Sequence, residues 1–410
     1  MYDFEFTQTA GTHKFRWPDK LLSVSVKSLH EHKTGQVSGE ITVTTDAPGY
    51  KPLLHRANLN LSSTTARNTL SKTLSQRYNG ANWDTILEQV CNTAIDAFRE
   101  GEPIVEVFSC DEVKPPGYLL YPFLQLHKPT VIFGEGGDGK SLVGMLMAIA
   151  VILPWKDNRL GFSINRDGPT NVLWLDYETD RDTVTWNLSR FRNGLELPEV
   201  SLHYRRCSFP LTADVERIRN IIAEKNIGLL VIDSLGMACA GDLNSAETSI
   251  QFWGAQRQLN VTTLIIAHPS KDPLAKRRTI HGSGFFMREA RSIWELKQVQ
   301  EPGEEEKIVG LTHTKVNDGK LHRARGFRFL FSPNSIRVEK QDLDEVEEFR
   351  QQMSTGQQIL TLLKDGDASV ADIKEQTGLT ENNIRVTLYR LQKRGKARKV
   401  GDNWGLAYQE

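Results

Sequence analysis

Residues 130–142 read Thr130-Val131-Ile132-Phe133-Gly134-Glu135-Gly136-Gly137-Asp138-Gly139-Lys140-Ser141-Leu142. An apolar run stops at a glycine, four residues intervene, and Gly-Lys-Ser opens a second apolar run. Strand, glycine loop and helix in that order are the building unit of an α/β layer with its loops on one edge. Gly134, Gly136, Gly137 and Gly139 let the backbone curl and turn its N–H groups inward, toward phosphate oxygens. The helix from Lys140 adds the positive end of its dipole. Lys140 supplies a point charge for β- and γ-phosphates, and Ser141 a hydroxyl for Mg²⁺. Gly134–Leu142, with Glu135 and Asp138 inside it, is therefore the candidate binding loop for ATP and Mg²⁺.

The chain after this loop keeps alternating. Apolar strands are expected at 171–176, 202–207, 227–232, 261–267 and 291–297, and helices at 140–153, 180–194, 212–225 and 245–258. Such a pattern predicts a mainly parallel sheet covered on both faces. Residues 307–340 read as an antiparallel finish, with Asn317-Asp318-Gly319 as a turn and Glu301–Lys307 as a solvated charged loop. Tyr118–Lys128 leads into the first strand and is a candidate wall of the adenine pocket.

Residues 1–60 alternate polar and apolar side chains, which predicts a small antiparallel sheet. Helices are expected at 62–77, capped by Ser62 or Ser63, and at 82–100, capped by Asn82 or Asp84. No motif in 1–115 carries chemistry, so this α+β region is read as an accessory or assembly domain, ended by Pro115-Pro116-Gly117. The core then spans 118–340, and 341–355 is a charged linker or surface helix. In 356–410, helices at 357–363, 369–377 and 381–394 (the last capped by Thr380) precede a two-stranded hairpin. Three helices and a hairpin at this spacing resemble a winged helix-turn-helix. Val386, Leu388 and Leu391 are expected in its core.

Fifty-one basic and 51 acidic residues cancel, so bulk charge names no partner and any nucleic-acid site must come from local clusters. The four cysteines are far apart and form no Cys-x-x-Cys, which argues against a zinc module or a disulfide framework and for a reducing cytoplasm. The first residues lack a signal-peptide pattern, and the apolar run Leu142–Pro154 is too short to span a bilayer, so no membrane partner is expected.

Phosphate hydrolysis needs more than a loop. Gly228-Leu229-Leu230-Val231-Ile232-Asp233 is an apolar strand delivering an acid, a second Mg²⁺ anchor beside Ser141. Two further strands end in Asp176-Tyr177-Glu178 and in His268. Together with the loop and the Ile280–Arg291 segment, these residues resemble the RecA-like P-loop ATPases of the hexameric replicative helicase group. The likeness is greatest to plasmid RepA-type helicases and their phage and mobile-element relatives, over about 120–335. Asp233 is followed by Ser234 rather than a glutamate, and the resemblance then makes Glu178 the base that activates water. It makes His268 the sensor of the γ-phosphate, so that Glu178, Lys140, Asp233 and His268 form the catalytic set. It also implies homo-oligomeric rings, hexamers by family habit, with ATP sites between subunits and basic loops facing single-stranded DNA in a channel.

Residues 270–297 carry Lys271, Lys276, Arg277, Arg278, Arg288, Arg291 and Lys297, of which Lys276, Arg277, Arg278 and Arg288 are the candidate DNA contacts. His313–Gly319 resembles the family's late motif, in which a basic pair reaches the neighbouring subunit's γ-phosphate. Lys315 matches its lysine. Asn317 stands where an arginine is common, which leaves the second finger residue open among Arg325, Arg323 and Arg288. In the C-terminal region Arg385, Arg390, Lys393, Arg394, Lys396 and Arg398 suit duplex DNA, although such modules also bind proteins. Three functions stay open at this point. They are a DNA-dependent helicase or translocase of a mobile element, an ATP-gated duplex-binding regulator that does not unwind, and a loader that serves a second protein.

Overall fold

The computed structural model describes residues 3–9, 11–32, 34–100, 106–109, 117–155, 158–270, 278–350 and 355–407. The chain divides into two compact units, Met1–Pro115 with Leu211–Asn226 and Ala255–Leu259, and the remainder.

In the first unit, strands β1 (Glu5–Thr9), β2 (Thr12–Trp17), β3 (Leu22–Glu31), β4 (Val37–Thr45) and β5 (Leu53–Asn60) pair in sequence order, all antiparallel. Alternate residues of β2–β4 (Phe15, Trp17, Val24, Val26, Ile41, Val43) are buried, as period-two alternation requires, until β3 passes Val26. Helix α1 (Thr64–Arg77) starts at Ser63, whose Oγ accepts from the Ala66 N–H at 3.3 Å. Helix α2 (Trp83–Glu100) has Asn82 at its start, accepting from the Thr85 N–H at 3.1 Å. Its face Ile86, Leu87, Val90, Ala94 joins the core of the sheet.

The second unit begins with β6 (Tyr118–Tyr121) and β7 (Leu124–Gln125). The series continues with β8 (Pro129–Phe133), α3 (Lys140–Ile152), β9 (Ser163–Ile164), β10 (Asn171–Asp176), α4 (Arg181–Gly194) and β11 (His203–Arg206). Helix α5 (Leu211–Glu224) comes next in sequence but groups with the first unit. Then follow β12 (Ile227–Asp233), α6 (Leu235–Ala238), α7 (Ala246–Leu259), β13 (Thr262–Ala267), α8 (Gly284–Glu289), β14 (Ser292–Val299), β15 (Glu306–Val316), β16 (Arg325–Phe331) and β17 (Ile336–Gln341). Nine strands form one sheet in the order β11-β10-β12-β13-β8-β14-β15-β16-β17. The first six run parallel, and β15–β17 close the edge antiparallel. This is the α/β layer with a large, mainly parallel sheet that the apolar strands predicted. Helix α3 is buried along nearly its whole length, which is why its residues are apolar all round.

Four details differ from the sequence reading. Residues 118–128 form part of a separate small sheet, β7-β6-β9, before the core strand begins. Lys307 lies on β15, not in a solvated loop. Asn317-Asp318-Gly319 is no tight hairpin turn: residues 317–324 join β15 to β16, and Asp318 pairs with Lys128 at 2.5 Å. The segment expected as a charged linker or surface helix does hold a short helix, α9 (Glu347–Arg350), but it buries Leu343, Val346 and Phe349 against Val299 and Ile308. Three apolar residues spaced three apart in an acidic run were masked by that charge. Gly310 makes room for them, since a Cβ there would lie 2.5 Å from the Phe349 ring.

Helices α10 (Thr355–Leu362), α11 (Val370–Thr377) and α12 (Glu381–Lys393) and the hairpin β18 (Ala397–Val400)–β19 (Asn403–Leu406) surround a cluster of Ile359, Leu363, Ile373, Ile384, Leu388 and Leu391. Ser369 and Asp372 form a reciprocal capping box on α11, and Gly378 ends it at φ +67°. Thr380 occupies the N-cap of α12 without a side-chain cap bond. Val386, expected inside, is 42% exposed. No helix of the described residues is long and apolar enough to cross a membrane.

Candidate nucleotide-binding site

Four neighbouring parallel strands, β10, β12, β13 and β8, point their carboxyl ends to one edge of the sheet. In that row they deliver Glu178, Asp233, His268 and the Gly134–Ser141 loop. Ligands of open α/β sheets bind at such carboxyl edges.

The loop leaves β8 at Gly134 and enters α3 at Gly139, which takes φ +93° as the helix N-cap, while Gly137 takes φ +82°. No heavy atom lies within 4 Å of a Cβ built on Gly136 or Gly137, so the crown of the loop is open. Lys140 turns back over the loop and donates to the carbonyls of Gly134 at 2.8 Å and Glu135 at 2.6 Å. Burial pulls its ammonium below the usual lysine range, and the carboxylates of Asp138, Glu178, Asp233 and Glu135 oppose that shift. Asp138 faces the loop itself. Its Oδ2 accepts from the Glu135 N–H at 2.7 Å, and burial raises its carboxyl. Leu142 is half-buried in the first turn of α3.

Asp233 is 5% exposed, and burial pushes its carboxyl up to about 7. Glu178 and Asp176 add to the rise, while a hydrogen bond from the Ser141 hydroxyl and the Lys140 charge oppose it. Its Oδ1 is buried with no hydrogen-bond partner. An orphaned carboxylate oxygen beside an exposed hydroxyl fits a divalent cation, so Ser141 and Asp233 would hold Mg²⁺. Among the described residues no group of three His, Cys, Asp or Glu could hold a metal alone. Phosphate oxygens and water would complete the shell, as Mg²⁺ prefers.

Glu178 is exposed at the mouth of this site. Its Oε1 accepts from the Ser234 hydroxyl and lies 3.4 Å from His268 Nε2. Ser234 follows Asp233 through a cis peptide. The turn carrying Glu178 is organised by Asp176, 1% exposed. Asp176 Oδ1 accepts from the N–H groups of Glu178 at 3.0 Å and Thr179 at 2.8 Å. Its Oδ2 accepts from the Thr179 hydroxyl at 2.7 Å and the Tyr204 hydroxyl at 3.0 Å. Burial and the Asp176 carboxylate push Tyr204 up to about 12, so it stays a donor.

Asp176, Ser234 and Lys307 were missed as site residues. The first could have been found, since an Asp two and three residues ahead of a turn's N–H groups is an Asx-turn signal. Ser234 and Lys307 could not, because only the fold sets them there. Lys307 donates to the Gly137 carbonyl at 2.8 Å from β15, and burial lowers its ammonium.

The remaining candidates are dispersed. Arg278 pairs with Glu135 of the loop at 3.4 Å. Lys276 and Arg277 lie outside the described residues, as does Lys271. The Arg288 guanidinium sits 5.3 Å from the Phe285 ring centre. Lys315 donates to the carbonyls of Met287, Arg288 and Ala290 at 2.7, 2.6 and 2.7 Å, at the carboxyl end of α8. It is eight residues along β15 from Lys307, roughly 27 Å at strand rise, so it is far from its own chain's loop. Arg325 opens β16 opposite Leu311, with its Nε buried and unpartnered. Arg385, Arg390, Lys393, Arg394, Lys396 and Arg398 are all exposed on α12, the hairpin and the turn between them.

The model of a protein family described as an AAA domain matches residues 103–273. That segment is under half of the chain and contains the loop, Glu178, Asp233 and His268. It supports an ATPase. No curated protein matches the chain.

Proposed function

We propose that this protein is a DNA-dependent, ATP-hydrolysing motor of RecA-like type, a ring-forming helicase or translocase serving a mobile element. The observation that carries the reading is the row of Glu178, Asp233, His268 and the phosphate loop on adjacent strand ends. Residues 1–115 would act as the accessory domain, 118–340 as the motor, and 356–410, beyond the 341–355 segment, as a winged helix-turn-helix.

The chemistry is in-line attack of water on the γ-phosphate. Glu178 orients the water and takes its proton, with Ser234 and His268 fixing the carboxylate between them. Lys140 leaves the loop carbonyls for the phosphates, and the loop N–H groups hold them. Mg²⁺, when bound, would neutralise charge on the β- and γ-oxygens. His268 contacts both Glu178 and the backbone of the segment that carries Arg278, since the His281 N–H donates to its carbonyl at 2.9 Å. That segment links the base to the candidate single-strand contacts. In a hexamer, Lys315 and Arg325 would face a neighbour's nucleotide.

Sedimentation with and without ATP, and binding of single-stranded DNA, test this reading. Nucleotide-dependent rings that bind single strands are expected, and a Lys140→Ala chain should lose hydrolysis. A protein that stays monomeric with ATP and binds no DNA would overturn it. The second reading, a regulator that binds duplex DNA without unwinding, is favoured by the basic face of α12. Its mark would be one duplex bound far above random DNA with no strand separation.

A further inference from the structure

The crown of the phosphate loop has no side chains of its own to hold it. Gly136 and Gly137 carry none, Gly137 sits at φ +82°, and nothing lies within 4 Å of a Cβ built on either. Glycine loses more freedom on ordering than any other residue, so an untethered crown would weaken nucleotide affinity. Two groups tether it. Asp138 closes the turn from within, where its Oδ2 accepts from the Glu135 N–H at 2.7 Å and its own N–H donates to the Glu135 carbonyl at 3.3 Å. Lys307 reaches the crown from β15 and donates to the Gly137 carbonyl at 2.8 Å. We propose that Lys307 is a positioning residue for the β-phosphate of a nucleoside di- or triphosphate, a second lysine that fixes the loop in its phosphate-binding shape. The inference rests on the proposed ATP hydrolysis at this loop and deepens it.

Gly137 and Asp138 share one trans peptide, whose C=O and N–H point opposite ways. The Lys307 ammonium holds the C=O and the Glu135 carbonyl holds the N–H, so the plane of that peptide is fixed at both ends. The N–H groups of Gly139 to Leu142 follow directly. The first bond into α3 runs from the Val143 N–H to the Gly139 carbonyl at 2.9 Å, which leaves those groups for a phosphate. Strand β15 is placed for this task. It runs antiparallel to β14, which is parallel to β8, so its first residues stand at the edge where β8 gives way to the loop. Val309 and Leu311, on the same face as Lys307, are fully buried core. Lys307 is half-buried, and its Cδ and Val309 Cγ2 lie 3.8 and 3.9 Å from a Cβ built on Gly139, so the stem passes the loop's last glycine. A third apolar residue would extend that stripe without desolvating a charge. Burial instead lowers the Lys307 ammonium, and the Asp138 carboxylate opposes that shift. The loop explains a cation in this place, and the sheet does not.

The test uses the full chain with Mg²⁺. Titration calorimetry measures binding of ADP and of a non-hydrolysable ATP analogue. The chains compared are the parent, Lys307→Met, which keeps the stem and loses the donor, and Lys307→Arg, which restores a cationic donor. Hydrogen–deuterium exchange across 134–141 is followed without nucleotide, and single-turnover hydrolysis is followed at saturating ATP. Lys307→Met should weaken both nucleotides by about tenfold, the worth of one charge-assisted hydrogen bond. It should also speed exchange across Gly136–Gly139 in the empty protein. Lys307→Arg should recover most of both losses. Bound ATP itself orders the loop, so the rate at saturation should fall far less than affinity, by no more than about threefold. Thermal melting separates unfolding from a loosened loop. A rate at saturation that falls as far as affinity would make Lys307 a transition-state contact and overturn the positioning role. Unchanged ADP affinity, or unchanged exchange in a folded Lys307→Met chain, would also overturn it and leave the ATPase reading standing. A parent chain that binds neither nucleotide would overturn both.

Discussion

Asp176→Asn isolates the support of the catalytic base from the binding of nucleotide. The carboxylate accepts four hydrogen bonds, two from the backbone of the turn that carries Glu178. Asparagine keeps the shape, and its carbonyl can still accept the two N–H groups. Its amide must instead donate toward the hydroxyls of Thr179 and Tyr204, which now have to turn. Charge-assisted bonds are worth about 1.5–3 kcal/mol each and neutral ones about 1, so the turn loses roughly 2 kcal/mol of support. A displacement of about 1 Å at the base costs on the order of 100-fold in rate. The loop, Lys140 and Ser141 make no hydrogen bond to Asp176, so nucleotide affinity should stay within about twofold. The assay is single-turnover ATP hydrolysis beside nucleotide titration, with thermal melting as the control for folding. Turnover should fall 10- to 100-fold (about 1.4–2.7 kcal/mol). Turnover within threefold of the parent would refute the reasoning, and so would rate and affinity falling together.

Glu178→Gln should keep ATP binding and lose turnover by at least about 100-fold, and normal turnover in that chain would discard this choice of base. Phe349→Ala removes a ring that is 8% exposed over Gly310, and urea unfolding should show a loss of about 2–4 kcal/mol. His313 stacks on Trp294 at 4.3 Å, and its Nδ1 accepts from the His322 N–H at 3.0 Å, so the ring is neutral. Burial, helped by His322, pulls it down to about 4 from an unfolded value of 6.5. Between those values the unfolded chain binds more protons. Stability therefore rises with pH across that window and is lost on acidification, by on the order of 3 kcal/mol. Melting from pH 4 to 7 should show this slope, and His313→Gln should flatten it.

Much of the site was legible because its chemistry is local. Gly134–Ser141 is a continuous motif, and Asp233, Glu178 and His268 each stand at the end of an apolar run, where a parallel strand must deliver a side chain to the sheet edge. Their meeting depended only on strand order. Ser234 and Lys307 were not legible, since a hydroxyl after one acid and a lysine in a charged stretch acquire roles only when β10, β12, β8 and β15 are brought into one sheet. The same holds for Val386. Its neighbours Leu388 and Leu391 are core, and only its phase on the helix turns it outward. Leu343, Val346 and Phe349 are hidden by the acids between them, because a three-residue spacing in so charged a run carries little apolar signal.

The central claim is that ATP hydrolysis at this site answers to DNA. It is tested most directly by steady-state ATP turnover of the full chain alone, with single-stranded DNA, and with matched duplex, using Lys140→Ala as the blank. The account predicts strong stimulation by single strands and none in the blank. Turnover that is unchanged by single strands, or raised by duplex alone, would contradict the motor and leave the ATP-gated regulator in its place.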